Sequence, residues 1–243
     1  MKNNILPRVH SMHWNNISEC IRDGQKSVFE SLGIELIQEN ADQQSHGDWM
    51  NEVIDRYDAD DIITFCDIDA FPLKQDAYLA AVQAAQEGAV FGLAQFSNHK
   101  ATQKLYAGPM FMAFRKQTWE KLGRPNLKSN KHHDAAEVFS VYAKHQDVSV
   151  RLVMPSSCLV PKWALADRGV FGIGTFYGEC EFFHLFESRQ VAHEALFSAV
   201  VSDVVGGRSL NFQRYLEIIH AAKDQPMSSR KRNWMPKPLR RFF

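Results

Sequence analysis

The chain has 243 residues; 45% are hydrophobic and 23% charged, and lysine plus arginine equals aspartate plus glutamate at 28 each. These values are typical of a folded globular protein and give no global charge that would favour nucleic acid as a partner. No apolar run approaches the ~18 residues that a membrane span needs, and the segment Met1–Pro7 lacks the apolar core of a signal peptide. The four cysteines are scattered without metal-ligand spacing: Cys20, Cys66, Cys158 and Cys180. We therefore expect a reduced, cytoplasmic protein.

The first part of the chain alternates strand and helix patterns. Ser18 is the expected N-cap of the first helix, and Gly33 follows its expected end. This alternation favours an α/β fold with a mostly parallel central sheet and helices on both faces. In chain order the predicted elements are strand Ile5–Met12, helix Ile17–Leu32, strand Ile34–Ile37, helix Asp48–Tyr57, strand Ile62–Cys66, helix Gln75–Glu87 and strand Ala89–Ala94.

The second part is less regular and ends in two amphipathic helices. Asp134 is the expected N-cap of the helix that reaches Lys144. In chain order we predict a turn at Ala107–Pro109, strand Met110–Phe114, helix Lys116–Leu122, helix Asp134–Lys144, strand Val148–Met154, a loop at Trp163–Tyr177, a short apolar segment at Glu181–Phe186, and helices Gln190–Val205 and Ser209–Ala222.

The most informative stretch is an apolar strand that ends in two acids. The run Ile62–Cys66 has the pattern of a strand buried on both faces, and Asp67 and Asp69 follow it directly. Residues two apart in a strand point the same way, so both carboxylates can reach one point. Two carboxylates this close repel unless a cation lies between them. Oxygen ligands of this kind predict a Mg²⁺ or Mn²⁺ site.

Two other polar groups are candidates for nucleotide binding. His10 and Ser11, with His13 and Trp14, follow the first strand and could hold a base or ribose; the alternative is a surface turn with Trp14 in the core. Asp48 lies at the expected start of a helix, a place suited to anions. The alternative is that Asp48 is only an N-cap.

The C-terminal segment is basic and aromatic. Residues 225–243 contain no acids and mix lysines and arginines with Trp234, Phe242 and Phe243. Such a mixture suits an anionic membrane surface, so we predict possible peripheral membrane contact through residues 228–243. The alternatives are a solvated tail or an acidic partner.

The acidic strand and its position resemble the Asp-x-Asp motif of GT-A fold glycosyltransferases. In that family a strand-helix-strand-helix-strand nucleotide half precedes the motif, as residues 5–69 do here. The resemblance covers most of residues 5–190 as a pattern, not as sequence identity. It implies a GT-A-like (Rossmann-like) domain over residues 1–189, with a nucleotide half at about 1–95 and an acceptor half at about 96–189. A helical extension (190–224) and the tail (225–243) would follow.

The resemblance also implies site residues. His184 matches the late histidine that becomes a third metal ligand beside Asp67 and Asp69, and Asp67 also meets the nucleotide. The positions of Gly108 and Pro109 match a turn and strand that contact the donor sugar, and we group Trp163 with them. Asp134 and Glu137 match an acidic pair at a helix start. If the enzyme inverts, Asp134 is the first choice and Glu137 the second for the general base; if it retains, the pair positions the sugar.

The activity implied is metal-dependent, hexosyltransferase-type transfer of a sugar from a nucleotide-sugar donor to an acceptor hydroxyl of a glycan or lipid-linked acceptor. Surface glycan synthesis at the cytoplasmic face of a membrane fits the tail. One alternative is a haloacid-dehalogenase-like phosphatase with Asp67 as nucleophile, although that motif normally lies near the N-terminus. A translesion DNA polymerase also has a similar motif but needs a basic groove. The last alternative is a non-enzymatic GT-A-like binding module.

Overall fold

The computed structural model describes residues 6–97 and 104–223. Within them the strands are β1 (Val9–His13), β2 (Leu36–Asn40), β3 (Ile62–Cys66), β4 (Ala70–Pro72), β5 (Val90–Phe96), β6 (Leu105–Arg115), β7 (Val150–Val153), β8 (Pro155–Ala164), β9 (Val170–Tyr177) and β10 (Phe182–His184). The helices are α1 (Glu19–Ser31), α2 (His46–Asp55), α3 (Gln75–Gln86), α4 (Lys116–Lys121), α5 (Glu137–His145), α6 (Val191–Val205) and α7 (Phe212–Lys223).

The central sheet has the strand order β2-β1-β3-β6-β5-β7. Strand β1 is parallel to both β2 and β3, and β5 is parallel to β7. Strand β6 runs antiparallel to β3 and to β5, so it alone is reversed among these six. The predicted α/β fold with a mostly parallel sheet flanked by helices is therefore confirmed. Strand β3 is buried along almost its whole length, as its apolar run predicts.

The helices cover both faces of this sheet. One core cluster joins the sheet to α1, α3, α6 and α7, and a second joins the opposite face to α2, α4 and α5. Helix α6 packs closely on α1, since a Cβ at Gly24 would lie 2.9 Å from the Phe197 ring. The predicted C-terminal helices thus exist, and Gly206 ends the first of them. They complete the hydrophobic core on that face.

A second, antiparallel sheet has the order β4-β10-β9-β8. Its largest part is the hairpin of β8 and β9, so the prediction of a loop over Trp163–Tyr177 is wrong. Trp163 lies in β8, and the glycines that suggested a loop allow close strand approach instead. A Cβ at Gly172 would lie 2.3 Å from the carbonyl oxygen of Val160, which is closer than any side chain tolerates.

Two other local predictions are wrong. The Ala107–Pro109 turn lies inside the long strand β6, where all three residues are buried. Proline is tolerated there because the β5–β6 register shifts nearby, between Gly92 and Leu93, and irregular pairing needs fewer ladder donors. The predicted N-cap of the helix after Asp134 is also wrong: α5 begins after Ala136, which has a left-handed φ of 62° and makes no side-chain cap.

The remaining element boundaries differ modestly from the predicted ones. Ser18 is the N-cap of α1, as predicted, and accepts a hydrogen bond from the Ile21 amide. Strand β1 begins at Val9 and β2 at Leu36, each later than predicted. Within the described ranges no helix is long and apolar enough to cross a bilayer. Residues 228–243, for which membrane contact was predicted, lie outside the described part of the chain.

Candidate metal centre and nucleotide cavity

The candidate centre forms where the two sheets meet. Strand β3 ends at Cys66 and β4 begins at Ala70, so Asp67 and Asp69 lie in the turn between them. The turn is closed by a hydrogen bond from the Ala70 amide to the Asp67 carbonyl at 3.0 Å. Strand β10 pairs antiparallel with β4 and sets His184 opposite Ala70. This pairing brings a histidine from late in the chain to the acids.

Three side chains converge at this turn. The Nε2 atom of His184 lies 3.2 Å from Oδ1 of Asp69 and 3.9 Å from Oδ2 of Asp67. One ligand atom from each of the three residues lies within 4.8 Å of the others. Ligands on neighbouring corners of an octahedral ion are separated by about 3 Å, so these spacings suit one divalent cation. Two oxygens and one imidazole nitrogen suit Mn²⁺ or Mg²⁺, with the imidazole favouring the transition metal.

The two carboxyls titrate differently because their surroundings differ. Burial raises the pKa of Asp67 above its ordinary value, although His46 and His184 oppose the shift. Burial acts in the same direction on Asp69, but the charge and hydrogen bond of His184 and the hydroxyl of Ser188 hold its pKa below the ordinary value. Each carboxylate is thus half-buried beside another acid, an arrangement that a bound cation would relieve. The residues present therefore fit a divalent ion.

Gln25 of α1 supports the acidic turn, which is the turn between β3 and β4 that carries Asp67 and Asp69. Its side chain is fully buried, and Nε2 donates to the carbonyl oxygens of Asp67 at 2.7 Å and Ala70 at 2.9 Å. Its Oε1 atom accepts from Gln38 at 2.9 Å. Sequence analysis missed this residue. The available signal was a polar residue on the inward face of α1, where burial requires a polar partner.

His46 faces one oxygen of the Asp67 carboxylate, and His184 faces the other. It is the first residue of α2, and its Nε2 atom is 3.5 Å from Oδ1 of Asp67. The imidazole stacks on Trp49 with ring centroids 5.7 Å apart. The expectation for this helix start concerned Asp48, and no local pattern connected His46 with the acids.

An open cavity of about 480 Å³ borders the cluster. It is lined in part by Met12, Trp14, His46, Asp67, Asp69 and Arg189. The guanidinium carbon of Arg189 lies 4.9 Å from the centre of the Trp14 ring. The indole of Trp14 is held by a hydrogen bond to the Gln44 carbonyl at 2.9 Å. One wall therefore offers an aromatic face and a cation, and the floor offers the carboxylates.

Three residues expected at the nucleotide, His10, Ser11 and Asp48, do not line this cavity. His10 is buried in the sheet, where it contacts the Tyr57 hydroxyl and lies 3.7 Å from Glu39. Burial lowers its pKa. Ser11 is fully buried in β1. The neighbouring residues His13 and Trp14 do line the cavity.

Asp48 also lies away from the lining, at the start of α2. Ser45 is the N-cap there, so the view of Asp48 as the N-cap is wrong. Asp48 instead bonds twice to the cap: its amide donates to the Ser45 hydroxyl at 3.2 Å, and its carboxylate accepts from that hydroxyl at 2.7 Å. Its carboxylate also accepts from Lys128 at 2.7 Å. The hydrogen bonds from Lys128 and Ser45 lower its pKa.

The acidic pair Asp134 and Glu137 lies at the start of α5. The Asp134 carboxylate accepts from the Tyr106 hydroxyl at 3.3 Å, and its charge is near enough to raise the pKa of Asp67. Glu137 is fully buried, and its carboxylate accepts from the Asp134 amide at 2.8 Å. Of the two, Asp134 is the more accessible, and Glu137 holds the backbone of Asp134.

The residues expected at the sugar lie on two different strands. Gly108 and Pro109 are buried in β6, and the next residue, Met110, accepts from the Asp67 amide at 3.1 Å. Trp163 in β8 packs on Phe186, whose ring is 3.9 Å from the His184 ring. The structure thus brings the Gly108–Pro109 segment to the end of β3 and connects Trp163 to His184 through one aromatic side chain.

No protein-family model and no curated protein matches this chain. Among solved structures, it is similar to A197 from STIV, at 11% identity and a TM-score of 0.43 over 74% of this chain and 95% of that one. It is also similar to a mutant of Drosophila beta-1,4-galactosyltransferase 7 in complex with manganese, UDP-Gal and xylobiose (12% identity, TM-score 0.40, 73% and 71% covered). A glycosyltransferase involved in glycosylation of the major capsid of PBCV-1 shares 8% identity at a TM-score of 0.37, with 61% and 82% covered. Likenesses this distant say nothing about the substrate of this chain.

Proposed function

We propose that this protein is a metal-dependent glycosyltransferase of the GT-A type, which moves a sugar from a nucleotide-sugar donor to an acceptor hydroxyl. The observation that carries the proposal is the convergence of Asp67, Asp69 and His184 at one edge of an open cavity. The acids follow the carboxyl end of a central strand, where open α/β sheets bind their ligands.

The cavity suits a nucleoside diphosphate in size and chemistry. About 480 Å³ falls within the range of small-molecule sites. Trp14 offers an apolar face for a base or sugar, and Arg189 offers a planar cation that matches phosphate geometry. The donor would lie between this wall and the acids.

The roles of the acids and His184 follow from charge. Departure of a nucleoside diphosphate develops negative charge on its phosphate, and a bound Mn²⁺ or Mg²⁺ supplies Lewis-acid stabilisation there. Asp69 is our choice for the direct metal contact because its Oδ1 atom lies nearer to Nε2 of His184, at 3.2 Å, than Oδ2 of Asp67 does, at 3.9 Å. His184 contributes a neutral nitrogen, and Asp67 faces both the ion and the nucleotide.

For an inverting enzyme we propose Asp134 as the general base that takes the acceptor proton. Its partial exposure and the effect of its charge on the pKa of Asp67 support this choice over Glu137, which is fully buried and holds the Asp134 amide. For a retaining enzyme the same pair would position the sugar. Gly108, Pro109 and Trp163 remain proposed contacts of the donor sugar or acceptor.

The proposed acceptor is a glycan or lipid-linked glycan in surface glycan synthesis, with peripheral membrane contact through residues 228–243. A phosphatase with Asp67 as nucleophile is less well supported, because both oxygens of Asp67 face histidines, His46 on one side and His184 on the other. A binding module without turnover would use the same cavity and is distinguished by activity.

The proposal is tested by thermal unfolding with UDP, GDP, CDP and dTDP, each with and without Mn²⁺. A ligand at 100 times its dissociation constant stabilises by about 2.7 kcal/mol, and each kcal/mol moves the melting temperature of a chain of this size by about 2–4 °C. We expect one nucleotide to stabilise the protein only with Mn²⁺, and Asp69→Asn to remove the effect. Absence of a shift with every nucleotide would contradict the proposal. Chromatography then measures whether the matching donor loses its sugar. An enzyme releases the sugar, whereas a binding module leaves the donor intact.

A further inference from the structure

We infer that His46 is a positioning residue of the metal centre, which holds one carboxylate oxygen of Asp67 so that the other oxygen faces Asp69 and His184. The inference rests on the proposed function in one respect: a divalent cation must bind at the Asp67–Asp69–His184 cluster.

The imidazole of His46 is held in place by its surroundings. Ser45 caps α2 and thereby fixes the backbone at the first helical residue. The His46 ring stacks on Trp49 at an interplanar angle of 26°. Trp49 is buried, and its indole donates to Glu39 at 3.0 Å. The His46 ring is therefore held by its packing on Trp49, and the hydrogen bond from Trp49 to Glu39 holds Trp49 in turn.

The two oxygens of Asp67 face different histidines. Oδ1 lies 3.5 Å from Nε2 of His46, whereas Oδ2 lies 3.9 Å from Nε2 of His184. The compact group of possible ligands contains Asp67, Asp69 and His184 but not His46. His46 thus reaches the oxygen that points away from the ion position, and it acts through Asp67.

The contact between His46 and Asp67 orients the carboxylate, which the backbone contacts of Asp67 do not do. Gln25 and Met110 hold the carbonyl and the amide of Asp67, but neither orients its carboxylate. An imidazole whose Nε2 atom lies 3.5 Å from Oδ1 attracts that oxygen and favours one side-chain rotamer before the cation arrives. Groups that orient a metal ligand in this way typically change metal affinity by about 10–100-fold when they are removed.

The test is a titration of the full chain with Mn²⁺ alone, without any nucleotide. Electron paramagnetic resonance measures the free ion that remains at each point. Three substitutions separate packing on Trp49 from the polar contact with Asp67: His46→Ala removes both, His46→Phe keeps an aromatic ring on Trp49, and His46→Gln restores a side-chain N–H. His132→Ala is the matched control, because His132 is exposed in a loop and its ring centroid lies 6.5 Å from that of the neighbouring His133.

We expect His46→Phe to raise the Mn²⁺ dissociation constant about tenfold with little change in apo melting temperature, and His46→Gln to recover part of the affinity. Wild-type affinity in His46→Phe would overturn the inference while leaving the metal centre intact. Absence of Mn²⁺ binding by the wild-type chain would instead remove the metal centre, and with it both proposals. If His46→Ala unfolds, the Phe and Gln variants still decide the question.

Discussion

Replacement of Gln25 tests whether the acidic turn is built by a buried amide. In Gln25→Met the side-chain volume is nearly kept, but the amide loses its three hydrogen bonds with oxygen and nitrogen atoms: two to the carbonyls of Asp67 and Ala70 and one from Gln38. Its longer bond to the Cys66 sulfur, at 3.7 Å, is lost as well and is weak. The site is fully buried, so water cannot readily replace the lost donor. A volume-conserving substitution isolates this polar effect from that of a cavity.

The expected cost follows from the partners that remain. The Asp67 carbonyl keeps the Ala70 amide at 3.0 Å, and the Ala70 carbonyl keeps the Cys66 thiol at 3.1 Å. Neither acceptor is left bare, so the loss is three hydrogen bonds at about 0.5–1.5 kcal/mol each, or roughly 2–4 kcal/mol in total. For a chain of this size the melting temperature should fall by roughly 4–16 °C.

The assay combines urea unfolding of the metal-free protein with Mn²⁺ titration at a temperature where the variant is folded. We expect both a lower unfolding free energy and a weaker Mn²⁺ affinity, because the turn that carries Asp67 and Asp69 loses its brace. Gln83→Met is the control, since Gln83 lies on the exposed face of α3 and bonds only to Glu87 among the described side chains. If Gln25→Met matched the wild type in both measurements, the bracing role would be refuted.

Three further predictions concern other parts of the chain. Burial alone would raise the pKa of Asp203, but the Tyr215 hydroxyl at 2.7 Å and nearby arginines hold it below its ordinary value. The ionised Asp203 carboxylate should therefore stabilise the protein above the unfolded-chain pKa of about 3.9. This stabilisation should be lost as the pH falls through the folded-state pKa. The destabilisation that Asp203→Asn causes in urea unfolding should therefore shrink toward pH 2. Equal destabilisation across this range would contradict it. Gly47→Ala should destabilise by about 1–3 kcal/mol, because the new Cβ would lie 2.3 Å from the Lys128 Cα; a wild-type melting temperature would show that the two backbones separate freely. Deletion of residues 228–243 should release the protein from anionic vesicles in a sedimentation assay while sparing activity on a soluble acceptor, and unchanged vesicle binding would count against membrane contact through this segment.

Local patterns in the sequence determined much of the architecture. The apolar run that ends in Asp67 specifies a buried strand, since hydrophobic burial on both faces allows few other structures. Ser18 specifies a helix start, because its hydroxyl satisfies an otherwise unpaired amide. The spacing of Asp67 and Asp69 already predicts a cation site, because two carboxylates so near each other repel unless a cation lies between them.

Glycines and prolines were less informative, because their roles depend on neighbours that are distant in sequence. Gly172 suggested a loop, but it lies where β8 and β9 approach too closely for a side chain. Pro109 suggested a turn, but it lies within β6 beside a shift in pairing. In both cases the same residue type fits a turn and an irregular strand, and strand pairing decides between them.

The family resemblance named His184 as a third ligand, but the geometry of the candidate metal centre required the tertiary structure. His184 reaches the acids only because β10 pairs with β4, and the sequence separation of these strands leaves no local signal of that pairing. His46 and Gln25 reach Asp67 from two different helices that pack on opposite faces of the sheet. Sequence periodicity shows which residues face inward, but the partner that each inward residue meets is set by the packing of the whole chain. The acids were therefore determined locally, and the groups that hold them were decided by the fold.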